Sequence, residues 1–219
     1  GSVLTTDGDR WDCPGCDLTQ PEATWRVSGE SIVLPDGSTV VPELRVPGSF
    51  NVSNAACALA AAVELGVAVP DALHGMRTVT SPAGRFATAT LHGTSVRLLL
   101  AKNPAGWAEA LPLATSDPVI LAIDSVAADG KDVSWLWDVD YEQLQGREVF
   151  ATGPRAQDLA VRLGYAEVQH RVIPDLAAAL AAAVPVQTSS PTPGSPAAPL
   201  DLIATYTPFQ KLLKMAGLR

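Results

Sequence analysis

The chain has 219 residues, 47 % hydrophobic and 17 % charged, enough apolar surface for one large or two small folded domains, which excludes an intrinsically disordered chain. Lys and Arg number 15 against 23 Asp and Glu, for a net charge of −8 with no basic run; neither nucleic acid nor an anionic membrane is expected as main partner. No apolar stretch reaches the roughly 18 residues of a membrane span, and residues 1–12 have no apolar core for a signal peptide, so a soluble cytoplasmic protein is expected. The Gly-Ser start reads as an expression scar or as a piece cut from something longer.

Residues 1–20 are polar and turn-rich and hold Cys13 and Cys16 in WDCPGCDLTQP. Alternating apolar residues in TWRVSG, SIVL and TVVPELRV, broken at Pro35-Asp36-Gly37, predict short strands and a hairpin. Asn51 or Ser53 as N-cap, strong helix formers and Gly66 as a stop predict a helix over 52–65. A shorter helix starts at Pro70 and ends before Thr80, and Pro82-Ala83-Gly84 reads as a hinge separating domains 1–82 and 83–219.

Beyond Arg85 the chain reads as a hairpin, FATATLH and SVRLLLA around Gly93-Thr94, then helix 104–113 and a strand in PVILAIDS. A loop with a short helix through DVSWLWDVDYEQL follows, then a strand in REVFATG and helix 154–163. Next come a strand in EVQHRV, helix 174–184, a strand in LDLIATY and helix 208–218. Strands alternating with helices imply right-handed crossovers and a mostly parallel sheet covered on both faces, a Rossmann-like α/β domain. The Pro/Ser-rich stretch 185–199 reads as a mobile loop.

Cys13-Pro-Gly-Cys16 has the tight knuckle of a zinc ribbon, but a closed zinc site needs four ligands and only two stand here, so a redox pair or an orphan half-site stays open. Cys57 reads as a small core residue, and His74, His92 and His170 lack ligand spacing to the pair. No GxxxxGK[ST], GxGxxG or GxSxG is present, so nucleotide hydrolysis or covalent catalysis by this chain alone is not expected. The carboxylates Asp124, Asp129, Asp132, Asp138 and Asp140 follow the strand VILAI, where open parallel sheets gather ligand groups. Equally, Asp132 and Asp138 are natural caps of short helices, and Trp135 and Trp137 natural packing residues. Lys102 and Asn103 end another strand, before a helix opened by Pro104.

PGSFNVSNAACALAAAVELGV resembles the Mur-ligase motif HNxxNAxAA near the end of the ATPase domain, with Phe50 in place of the histidine. SPAGRFATATLHGTSVRLLLAKNPAGWAEAL and DSVAADGKDVSWLWDVDYE together resemble the C-terminal domain of the MurT family, the Mur-ligase-like subunits of lipid II isoglutaminyl synthases. CPGC with Pro21 and Trp25 is similar to the second half of that family's four-cysteine ribbon. The resemblance implies a C-terminal α/β Mur-ligase domain preceded by the end of the middle, ATPase domain with half a zinc ribbon.

It also implies ATP-dependent amidation of the D-glutamate of the peptidoglycan stem peptide on lipid II. Ammonia would come from glutamine through a glutaminase partner, GatD, and attack an acyl phosphate, because phosphate leaves more readily than carboxylate oxygen. Cofactors implied are ATP with Mg2+ and a structural Zn2+ at Cys13 and Cys16. Asn51 and Asn54 match asparagines beside adenine, Arg85 a linker position near the nucleotide, and Lys102 and Asn103 the strand-end loop facing the ATPase domain. An aspartate completing the partner's Cys-His couple falls at Asp132, with Asp138 as second choice. The P-loop and first cysteine pair would precede residue 1, so the chain alone is expected to be inactive as a ligase. Two rivals remain: another Mur or folylpolyglutamate-type ligase, and a non-catalytic docking module anchored by Trp135 and Trp137.

Overall fold

A computed structural model describes residues 5–7, 10–80, 85–126, 130–188 and 199–219, with the backbone alone at 5–7 and 185–188. The chain forms two compact units, Gly1–Glu43 with Val52–Met76, and Leu44–Asn51 with Arg77–Arg219. The expected hinge at 82–84 lies outside the described residues.

In the first unit β1 (Thr5–Asp7) and β2 (Arg10–Asp12) pair antiparallel, two strands not expected within the polar, turn-rich segment 1–20. A meander of β3 (Arg26–Ser28), β4 (Ser31–Val33) and β5 (Thr39–Val40) follows, with Gly37 at φ 83° in the predicted turn. Helix α1 (Phe50–Glu64) buries Val52, Ala55, Ala56 and Leu59, one stripe at helical spacing. Cys57 falls off that stripe and is exposed, correcting its expected place in the core. Val67 N–H bonds to the Ala62 carbonyl across Gly66 at φ 85°, the helix end that glycine permits. Helix α2 (Val69–Arg77) completes this part.

The second unit is a six-stranded sheet built from β6 (Phe86–Leu91), β7 (Thr94–Leu100), β8 (Val119–Ala122), β9 (Val149–Thr152), β10 (His170–Val172) and β11 (Leu200–Ala204). Their spatial order is β10-β9-β8-β11-β7-β6, and every pairing except β6 with β7 is parallel. Such strands are buried on both faces and read as continuous apolar runs. In β8, Val119 and Leu121 enter one core layer with Trp107, Tyr141 and Leu159, while Ile120 and Ala122 enter the other with Phe150, Leu180 and Phe209.

Helices α3 (Pro104–Ala110) and α4 (Ala156–Tyr165) thus cover one face, and α5 (Leu176–Thr188) and α6 (Tyr206–Met215) the other. Helix α5 runs past Pro185, where a stop was expected. The ring removes one backbone donor, and the helix continues beyond it to Thr188. Residues 189–198 of the expected mobile loop lie outside the described residues. Helix α4 starts two residues later than expected because the preceding turn is pinned to the sheet: Gly153 N–H bonds to Pro174 O and Arg155 N–H to Ile123 O.

Two buried polar clusters fix loops to this frame. Asp201, fully buried on β11, accepts from Arg97 Nε at 2.6 Å and from the N–H groups of Thr115 and Ser116 at 2.6 and 2.8 Å. Arg162 on α4 donates to Val139 O at 2.8 Å and to Glu142 at 2.9 Å, with its guanidinium over the Tyr141 and Trp137 rings.

Candidate functional site

In an open α/β sheet, ligands are expected beyond the carboxyl ends of strands where neighbouring connections leave to opposite faces. Strands β7 and β11 meet that condition, because β7 runs into α3 on one face and β11 into α6 on the other. A cleft of about 810 Å³ opens there. Arg85, Lys102, Asn103, Tyr206, Gln210 and Arg219 supply its polar wall, and among the described residues no Asp or Glu lines it. In a chain of net charge −8, a wall with three cations and no acid suits an anion.

Each residue is placed by the backbone. Arg85 O accepts from Leu100 N–H, and Ala101 N–H bonds to Ala204 O, so the segment leading to exposed Lys102 is tied to two strands. Asn103 is the N-cap of α3, its Oδ1 accepting from Gly106 N–H at 2.8 Å. A Cβ on Gly106 would stand 3.3 Å from that oxygen, so the residue type and the cap suit each other. Asn103 thus serves as a cap while lining the cleft.

Arg85 and Gly106 also line a second, mostly apolar pocket of about 280 Å³ with Phe50, Asn51, Phe86 and Leu113. Asn51 sits in the first turn of α1, and its Nδ2 donates to Pro47 O at 2.6 Å, holding the loop rather than pointing its amide away. Gly48, at φ 103°, is required here, since a Cβ would lie 2.4 Å from the Phe50 ring. Asn54 is exposed on α1 and lines neither cavity.

The acidic loop lies elsewhere. Its carboxylates diverge in role, and Asp129 is outside the described residues. Asp124 is buried at the end of β8, accepts from Ser125 N–H and stands 3.8 Å from Lys211 Nζ. Asp132 is exposed and closes an Asx turn, accepting from Ser134 N–H at 2.8 Å and from its hydroxyl at 3.0 Å. Those two donors, the backbone N–H first, hold its carboxyl below the ordinary range and keep it ionised. Asp138 and Asp140 are exposed, and Asp138 ends the 3₁₀ turn Ser134–Asp138.

Trp135 packs on buried Trp107 with centroids 6.2 Å apart, whereas Trp137 is 54 % exposed and meets Tyr165 edge-on at 5.2 Å. One tryptophan anchors the loop and the other faces outward. Arg162 draws Glu142 down to about 2, and burial pushes the Tyr141 hydroxyl up. This cluster escaped sequence reasoning, because Arg162 and Glu142 lie in different elements and neither carries a motif.

At the cysteine knuckle, the N–H of Gly15 and then the Cys16 thiol lower the Cys13 pKa, favouring the thiolate a metal needs. Among the described residues no group of three or more His, Cys, Asp or Glu is placed to hold a metal. The pair fits half of a tetrahedral zinc site and not a closed one. No helix among the described residues is long and apolar enough to cross a membrane.

The family model described as MurT ligase C-terminal matches residues 100–209, which include Lys102, Asn103 and the whole acidic loop. The MurT subunit of a lipid II isoglutaminyl synthase (glutamine-hydrolyzing) of Staphylococcus aureus is 34 % identical over 138 residues, 60 % of this chain and 32 % of that protein. The chain therefore spans about a third of that relative's length. A pseudomurein peptide ligase type C from Methanothermus fervidus superposes with TM-score 0.64 at 14 % identity, covering 95 % of this chain and 44 % of that one. Folylpolyglutamate synthase of Mycobacterium tuberculosis, complexed with ADP, gives TM-score 0.57 at 20 % identity, covering 87 % and 46 %. At these identities the structural likenesses establish the fold of Mur-type ligases.

Proposed function

Because the chain belongs to the MurT ligase C-terminal family, we propose that it is the C-terminal part of the ligase subunit of a lipid II isoglutaminyl synthase, in which glutamine-derived ammonia amidates D-glutamate of the stem peptide. The observation that carries this reading is the family match over residues 100–209, which takes in Lys102 and Asn103 of the cleft and the Asp132 turn. Residues 1–82 would then be the end of the ATPase domain and 83–219 the C-terminal domain.

ATP fits the two cavities in kind. The apolar pocket of Phe50, Phe86 and Leu113 suits a flat base, and Arg85 and Lys102 in the adjoining cleft suit phosphates. When bound, ATP supplies phosphoryl transfer, which gives the substrate carboxylate a leaving group. This chain's part is to bind and orient: Arg85 and Lys102 neutralise charge, and Asn103 fixes the first turn of α3 beneath them. Cys13 and Cys16 would give two ligands of a zinc ribbon, the others coming from chain outside this sequence.

The second contribution is Asp132. Its carboxylate is exposed, ionised and held in one orientation by Ser134, as needed to receive the N–H of an imidazole on a glutaminase partner such as GatD. It would fix the tautomer of that histidine and stabilise the imidazolium formed when the partner's cysteine gives up its proton. Co-purification of the full subunit with its glutaminase tests both parts. Asp132→Asn is expected to leave the complex intact and abolish most glutamine hydrolysis. Undiminished hydrolysis in Asp132→Asn and in Asp138→Asn, with the complex intact, would favour the docking-module reading, which the outward-facing Trp137 and Tyr165 make concrete.

A further inference from the structure

The last fifteen residues, 205–219, hold three of the chain's 15 Lys and Arg and none of its 23 Asp and Glu. The remainder of the chain therefore carries −11. The fold turns this local bias into a surface. Helix α6 presses Phe209, Leu212 and Leu213 onto the sheet, which leaves Lys211 and Lys214 on the outer side. Gly217, at φ 68°, ends the helix, with Leu218 N–H bonded to Leu213 O, and Arg219 folds back to donate to the Gln210 side chain. Lys211, Lys214 and Arg219 thereby share one open, shallow depression with Tyr206 and Gln210. Arg219 also belongs to the adjoining cleft, which brings Lys102 and Arg85 from more than a hundred residues upstream to the same edge of the unit.

Large apolar side chains stand exposed among these cations: Met215 is 42 % and Leu218 53 % accessible, with Tyr206 at 36 %. Lys211, Lys214 and Arg219 are interleaved with these exposed apolar groups and an aromatic ring; Lys211 also stands 3.8 Å from the buried Asp124, and among the described residues no acid lines the hollow, a combination that an anionic lipid surface recognises. A phosphate-binding site alone would explain the cations of the cleft and would leave Met215 and Leu218 without a role. Protein–protein interfaces are depleted in Lys relative to the rest of the surface, whereas Lys211 and Lys214 head this face. We infer that the outer face of α6 and the turn after it, Tyr206–Arg219, seat this domain peripherally on an anionic membrane, with Lys211, Lys214 and Arg219 over the headgroups and Met215 and Leu218 at the interface. The scattered sequence positions of the cations are why no basic run announced it. The inference stands on charge and exposure alone and needs no part of the ligase reading.

The test is sedimentation of the full chain with vesicles of phosphatidylcholine, with and without about 30 % phosphatidylglycerol, at low and high salt. Binding is expected to the anionic vesicles only and to fall with salt, because surface charges are screened within about 10 Å at 0.1 M. At about 1 kcal/mol per basic residue near an anionic surface, Lys214→Gln with Arg219→Gln should weaken partitioning about thirtyfold. Leu218→Ser should weaken it further without changing the slope against salt. Arg26→Gln with Arg45→Gln, an equal change of net charge elsewhere, should leave binding near wild type. All four positions are exposed, and far-ultraviolet circular dichroism checks that the variants are folded. Equal partitioning to neutral and anionic vesicles, or equal loss in the two charge pairs, would overturn the inference. So would tighter, Lys214- and Arg219-dependent binding to a single-stranded oligonucleotide.

Discussion

Single residues in this domain carry their roles through a few short contacts. Asp132 is the clearest: two donors from Ser134 orient its carboxylate, and nothing buries it. If it orients the partner's histidine, Asp132→Asn in the intact complex should cut glutamine hydrolysis by about 10⁴-fold, the loss expected when the orienting carboxylate of a triad is replaced by its amide. Steady-state rates at saturating glutamine would show it. Gly153 is a second such residue. At φ 92° its missing Cβ would stand 2.3 Å from the Ile123 carbonyl oxygen, which is backbone and cannot yield. Gly153→Ala should therefore cost about 3 kcal/mol or more, seen as a lower urea midpoint. Glu142 gives a pH signature. Arg162 lowers its pKa from 4.5 to about 2, so the ionised form is favoured in the folded state. Its contribution is complete above about 4.5 and lost as pH falls toward 2, so wild type and Glu142→Gln should differ in stability at pH 7 and converge in acid. Added salt should narrow the gap at pH 7, because this carboxylate is 45 % exposed.

At the scale of elements, the local signals of the α/β domain agreed with its tertiary structure where burial is two-sided. PVILAIDS reads as a strand because both faces of β8 meet core, and AKNPAGW reads as a strand end and helix start because Asn103 and Pro104 are cap and N1 residues. The hairpin of β6 and β7 is equally legible, read around Gly93-Thr94, with the turn itself one residue earlier at His92-Gly93. What stayed hidden involved partners distant in sequence. The exposure of Cys57 depends on which stripe of an Ala-rich helix is buried, and alanine scarcely distinguishes the faces. Pro185 looked like a helix end because the rule for proline is local, whereas α5 is held by the sheet beneath it. Asp201 gave no sign of its role as the pin of the loop after Leu113. Asp201→Ala would strand the buried Ser116 N–H, free the partly buried Thr115 N–H and leave the Arg97 guanidinium held only by Leu113 O and Thr115 Oγ1, and should cost about 3 kcal/mol with an unchanged urea m-value.

For the whole molecule, the candidate site was legible in its parts and not in its assembly. Lys102 and Asn103 were singled out from AKNPAGW and Arg85 from the family resemblance, and the fold sets all three on one cleft. Asn51 and Asn54, paired by motif, diverge: one holds the Pro47 loop beside a pocket, and the other lies exposed on the helix. The cations of α6 could join Lys102 only once β11 had paired beside β7 and the turn at Thr205 had set α6 next to that strand. In the proposed reading, function at this scale would depend on what the domain meets: nucleotide at the cleft, lipid surface at α6, and a glutaminase at the Asp132 turn. The last is the most demanding, because it asks one exposed carboxylate to complete a site on another protein. A structure of the complex determined with the full-length subunit and its glutaminase measures this directly. The account predicts an Asp132 carboxylate oxygen within about 3 Å of an imidazole nitrogen of the partner's catalytic histidine. That histidine satisfied by a residue of the glutaminase itself, with every carboxylate of the 124–140 loop out of reach, would contradict it.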